Sequence, residues 1–145
     1  MPDRPEATPR FDKALRALAR PVNIQSQPLP ALHAVMSMRH SSEMEQEGRD
    51  PLADIALRLH SLGAALEFAA LRRCINRMWP VPFDAHHTSS DRLSADEAAL
   101  SAMMRTAEKG DRAAFGHILN GFVRPERHEA LFAACVAFAI ALAAA

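Results

Sequence analysis

Residues 94–123 read SADEAALSAMMRTAEKGDRAAFGHILNGFV, and their punctuation is that of two short amphipathic helices joined by a tight turn. Ser94 stands three residues before Glu97, the spacing of a capping box in which each side chain meets a backbone N–H left over at a helix start. Asp96 and Glu97 occupy the positive first turn and Lys109 the negative last turn, so side-chain charge agrees with the helix dipole. Leu100, Met103, Met104 and Ala107 then fall on one face. Gly110 supplies a left-handed stop, and Asp111 is placed to cap the next helix at once. In that second helix Phe115, Ile118, Leu119 and Phe122 repeat the spacing. Two apolar stripes this close in the chain must pack on each other or on a shared surface.

The same chemistry of caps and breakers extends upstream. Asp50-Pro51 is a cap followed by the proline favoured in a first helical turn. From there Leu52, Ile55, Leu59, Leu62 and Leu66, with a second row Phe68, Leu71, Ile75 and Met78, predict one long helix. A broad apolar face of this kind suits burial on two sides. Trp79-Pro80 ends the helix, because proline lacks a donor and biases the preceding residue to extended backbone. Gly63 is the one candidate within it for a close helix crossing. Downstream, Arg124-Pro125 opens a last helix. From Ala130 to Ala145 this helix carries no polar residue besides Cys135, with Leu131, Phe132, Val136, Phe138, Ile140 and Leu142 almost all round it. It is shorter than the roughly 20 residues that span a bilayer, so a buried central helix is expected.

Residues 1–50 have another texture. They hold six of the ten prolines, at positions 2, 5, 9, 21, 28 and 30. Residues 1–9 read as a tail too poor in apolar surface to order itself. Phe11, Leu15 and Leu18 suggest a short amphipathic helix, and Ala31 to about Arg39 another. Ser41 to Asp50 reads as a polar, acidic link. The expectation is therefore an all-α protein. Residues 51–145 form a compact bundle of about four helices, and residues 1–50 a flexible, loosely held, proline-rich N-terminal arm with short helices.

Composition narrows the function classes without choosing among them. Seventeen basic and seventeen acidic side chains give a formal net charge of zero, which speaks against a general nucleic-acid binder. The two cysteines, Cys74 and Cys135, read as reduced, buried thiols rather than a disulfide framework. Met1 to Glu6 lacks the apolar core of a secretory signal, and a cytoplasmic setting is expected.

Three stretches carry candidate chemistry. Arg72, Arg73 and Arg77, with Trp79 nearby, form the compact basic patch, Arg73 and Arg77 sharing a helix face at i, i+4. Arginines so placed suit a grip on phosphates or bidentate pairing with a partner's carboxylates. His86 and His87, between Asp84 and Asp91, are candidate metal ligands, although no metal-binding spacing accompanies them. No nucleophile elbow or glycine-rich phosphate loop is present to support an enzyme, and no cofactor is expected. Ala107 to Phe115 resembles the helix-turn-helix centre of an ankyrin repeat. It lacks the Thr-Pro-Leu-His turn and any recurrence at about 33 residues, so the resemblance implies the local turn and no array. The expected function is that of a small non-enzymatic interaction or regulatory protein that binds a protein partner or self-associates. The alternatives are a metal protein or enzyme using His86 and His87, and membrane association through residues 130–145.

Overall fold

The computed structural model describes residues 22–145. The readings of residues 1–9 and of the Phe11–Leu18 helix lie outside the described residues. Within them the chain is all-α and without strands, in six helices: α1 (Leu29–Gln46), α2 (Leu52–Leu59), α3 (Leu62–Met78), α4 (Ala95–Glu108), α5 (Arg112–Leu119) and α6 (His128–Ala143). Single 3-10 turns precede α1 at Ile24–Ser26 and α6 at Pro125–Arg127.

The arm expected over residues 1–50 differs from what the described part of it does. Leu29–Gln46 is an 18-residue helix with Ala31, Ala34, Val35 and Met38 fully buried. Pro28 and Pro30 mark its first turn, where a missing N–H costs nothing. The acidic stretch from Ser41 continues the helix to Gln46, and Gly48, with φ 72°, closes it. α1 packs on α4 and, more lightly, on α2 and α3. It is therefore part of the bundle.

The long helix expected over 51–78 is two. Asp50 caps α2 as expected, its Oδ1 accepting the Leu52 N–H at 3.0 Å. His60 then turns left-handed (φ 54°), and the Ser61 side chain accepts the Ala64 N–H to start α3. This break re-phases the apolar row. Ala64, Ala65, Phe68, Leu71 and Ile75 are buried, while Leu62 and Leu66 are 60% and 49% exposed. Gly63 makes no close crossing, since a Cβ there would meet only Ser61 Oγ at 3.7 Å. α3 ends at Trp79 in extended backbone, as the following proline requires.

In the central stretch both hydrogen bonds of the Ser94–Glu97 capping box form, and Gly110 has φ 69°. The Asp111 side chain accepts the Ala114 N–H at 3.0 Å. α5 stops at Leu119, earlier than the apolar spacing suggests, so Phe122 lies beyond it and stacks edge-on against Trp79 at 5.0 Å. α6 runs antiparallel to α3, with Arg127 near Met78 and Phe138 on Phe68 at 5.5 Å. Phe132 meets Phe115 at 5.2 Å. Leu131, Phe132, Cys135 and Phe138 are buried among α3, α4 and α5, whereas Ile140 is 65% exposed. The helix is buried along the face of these four residues, partly covered on its flanks and open along the edge of Ala130, Ala133 and Ile140. No helix of the described residues is long and apolar enough to cross a membrane.

Candidate functional site

Two regions hold the candidate residues. The first is α3. Arg72 turns inward, its side chain only 14% exposed, and its two terminal nitrogens grip the carboxylate of Glu45 on α1, one of them at 2.8 Å. This pairing holds the Glu45 carboxyl below its ordinary range, against the opposing effect of burial. Trp79 is buried as well, packed at 5.5 Å on Phe83 and against Phe122. It serves as a plug where α3 ends, and its ring is not a free platform. Arg73 and Arg77 point outward and make no ion pair with any described residue. Helical spacing places them on the same face as exposed Leu62 and Leu66, so this face is apolar at its start and basic at its end. The structure thus divides the patch: Arg73 and Arg77 share the outer face, while Arg72 and Trp79 belong to the interior.

The second region is the loop between α3 and α4. It is held down by a residue pair without surface exposure, Arg39 on α1 and Glu97 on α4. The Arg39 Nε donates to Glu97 Oε2 at 2.7 Å and an Nη to Oε1 at 3.0 Å. The remaining guanidinium donors reach the carbonyls of Ser90 and Arg92 at 2.7 and 2.8 Å. Glu97 also accepts the backbone N–H of Ser94 and of His86. A buried charge pair persists only when its other donors and acceptors are met, and this one meets them with the loop's own backbone.

His86 and His87 are steered apart by this arrangement. The His86 Nδ1 lies 2.8 Å from the Arg92 carbonyl and 3.7 Å from Glu97. The His87 ring turns to α1, with Nε2 at 3.2 Å from Glu43 Oε1 and Nδ1 at 2.7 Å from Ser89 Oγ. A tautomer protonated at Nε2 satisfies both contacts, along with the Ser89 N–H that points to Nδ1 at 3.2 Å. Glu43 accepts the backbone N–H and the hydroxyl of Thr88, and the former is the main reason its carboxyl is held below the ordinary range. Acid, imidazole and hydroxyl are in line, but the His87 side chain is 70% exposed. The neighbouring Ser90 N–H is committed to the His87 carbonyl. The Ser89 hydroxyl is exposed to solvent, and the Ser90 N–H is not free to meet a developing oxyanion beside it. Among the described residues no three His, Cys, Asp or Glu side chains converge in a way that could hold a metal. Cys74 and Cys135 are free thiols, and burial pushes Cys135 strongly upward, away from a reactive thiolate.

Sequence pattern does not single out Arg39, Glu43 or Glu45 as site residues, and it marks Glu97 only as a capping-box partner and first-turn acid. One signal for Arg39 exists: it follows Val35 by four residues and so continues the buried stripe of α1. A charged residue on such a stripe calls for a buried partner, but the sequence does not say which. Comparison of the chain with family models, with curated proteins and with solved structures found no match.

Proposed function

We propose that the protein is a non-enzymatic helical interaction module that docks an acidic, amphipathic segment of a protein partner on the outer face of α3. The observation that carries this reading is the pairing of exposed Leu62 and Leu66 with Arg73 and Arg77 along that single face. Two guanidiniums in no ion pair with a described carboxylate have a charge that a partner's carboxylates complete, and arginine offers them a bidentate fork. The two leucines give the apolar anchors of a helix laid along another helix. Near-zero formal net charge removes long-range repulsion from either acidic or basic partners, so selection falls to this local patch.

A labelled amphipathic peptide with leucines on one face and glutamates towards one end is the direct probe, compared by fluorescence anisotropy with its lysine counterpart. The glutamate peptide is expected to bind, more weakly as salt rises, and at least about tenfold more weakly to R73E/R77E. Equal binding of the two peptides, or indifference to the charge reversal, refutes the reading. Dimerisation that is lost in L62D/L66D without any peptide binding replaces the partner with a second copy of the chain.

A further inference from the structure

Between α1, the Asp50–Leu52 entry to α2 and the inner side of α3 lies a cleft of about 220 Å³. Ile55 and Phe68 contribute to its apolar wall, and Glu45, Arg72, Arg73 and Asn76 to its polar one. A second, shallower cleft of about 490 Å³ opens beyond the Glu45–Arg72 pair towards Trp79–Phe83. Arg72 stands between the two as a shared wall. It is a largely buried cation, and its one carboxylate partner is 52% exposed. The pairing is end-on, through both terminal nitrogens, and leaves the Arg72 Nε buried without an acceptor. Among the described residues it is the one buried side-chain nitrogen or oxygen in that condition. Native proteins rarely leave such a group unmet, and each case asks for a physical reason.

The reason suggested by the geometry is that Glu45 occupies Arg72 in place of another carboxylate. Glu45 pays little to leave, because its own carboxylate already lies half in water, whereas Arg72 cannot be left without an anion. Side-on pairing through Nε and one terminal nitrogen would meet the idle donor, and it needs the Arg72 side chain, once released by Glu45, to swing so that the buried Nε faces the incoming carboxylate. Asp50 also lines the cleft and keeps its charge while accepting the Leu52 N–H, so release of Glu45 leaves one carboxylate there against the two guanidiniums of Arg72 and Arg73. A cavity of roughly 150 Å³ holds a benzene ring, so this one has room for a ring and a short chain. We propose that the cleft binds a small carboxylate with an apolar body, and that Glu45 is the intramolecular occupant it displaces. The carboxylate is that of a free acid or of a peptide C-terminus ending in an apolar residue. This site borders the outer face of α3 and shares Arg73 with it, but it turns on Arg72 and Glu45 and does not depend on the docking reading.

The test is titration of the isotope-labelled full chain, followed by amide chemical shifts at Ala69 and Asn76. The probes are 3-phenylpropionate, its uncharged amide and the tripeptide Gly-Gly-Phe. The free acid is expected to bind and the amide not. Glu45→Gln, which removes the competitor, should tighten binding by about three- to tenfold, and Arg72→Gln should weaken it by at least about tenfold. A structural ion pair alone would give the opposite result for Glu45→Gln, namely no gain. Equal response to acid and amide, unchanged or weaker binding to Glu45→Gln, or no saturation by about 10 mM acid overturns the proposal. If Arg72→Gln does not fold, the Glu45→Gln result decides. Arg77→Glu leaves the cleft untouched and should bind the acid as the parent does, which separates failure here from failure of the α3 docking face. Binding of the tripeptide as tightly as the free acid assigns the site to chain termini, and binding of the acid alone assigns it to small molecules.

Discussion

Arg39 and Glu97 tie two helices and a loop together from the interior. They join α1 to α4, and their spare donors and acceptors bind the loop at His86, Ser90, Arg92 and Ser94. Removal of one member leaves the other as an uncompensated charge in the interior, a change that costs about 3–5 kcal/mol. Arg39→Ala is therefore expected to lower the unfolding free energy in urea by that amount and to release the loop, seen as new protease sensitivity between α3 and α4. A loss below about 1 kcal/mol, the worth of a solvent-exposed pair, would contradict this account. Little of the pair is legible in the chain. Glu97 is visible as the third residue of a capping box because that bond is local. Its partner lies 58 residues away, and no short-range pattern encodes a contact at that separation. Arg73 and Arg77 are the converse case: their shared face follows from helical spacing alone, so it can be read directly.

Legibility at the scale of elements follows the same division between local and distant causes. The start of α4, the stop at Gly110, the cap at Asp111 and the end of α3 at Trp79-Pro80 are all set by residues within a turn of the event, and all are readable. The break at His60 is not. The leucine row runs through it without interruption, and only the left-handed turn shows that Leu62 and Leu66 face outward. α1 is legible only in part, as the short helix expected from Ala31 to about Arg39, and for another reason. Prolines at its start and glutamates at its end read as a linker, while small buried residues such as Ala31, Ala34 and Ser37 give its contact face little apolar signal. Gly110 makes the local logic testable. Nothing lies within 4 Å of the position a Cβ would take, so substitution there tests conformation without a clash. Gly110→Ala is expected to destabilise by about 1 kcal/mol, the cost of placing an L-residue in left-handed backbone. An unchanged thermal midpoint would show that the turn between α4 and α5 relaxes at no cost.

At the scale of the whole molecule, the described carboxyl and imidazole groups with displaced pKa values lean towards instability in acid, whereas the buried Cys135 thiol, pushed upward, would act in alkali. The Glu43 carboxyl is held down chiefly by the Thr88 N–H, Glu45 by Arg72, and Asp54 by its hydrogen bond from Arg58. Each binds its proton less readily folded than unfolded. The stability each contributes is complete above the ordinary carboxyl value and is lost as pH falls through the lower folded one. His40 acts in the same direction by another cause. Burial and then the Arg58 charge push it below 6.5, although Asp54 and Glu43 oppose them. The unfolded chain therefore takes up that proton first. Stability due to neutral His40 is present above 6.5 and declines as pH falls from there through its folded value. Two steps should appear in urea unfolding followed over pH, one beginning near 6.5 and one below the ordinary carboxyl range of about 4–4.5. Because Glu43 and Glu45 tie α1 to the loop and to α3, the second step should loosen the C-terminal turns of α1 while the buried Arg39–Glu97 pair still holds the helix to α4. Substitution His40→Gln should abolish the first step and leave the second in place. A first step that survives the substitution, or stability that rises between pH 7 and 5, would assign the acid response to groups other than these.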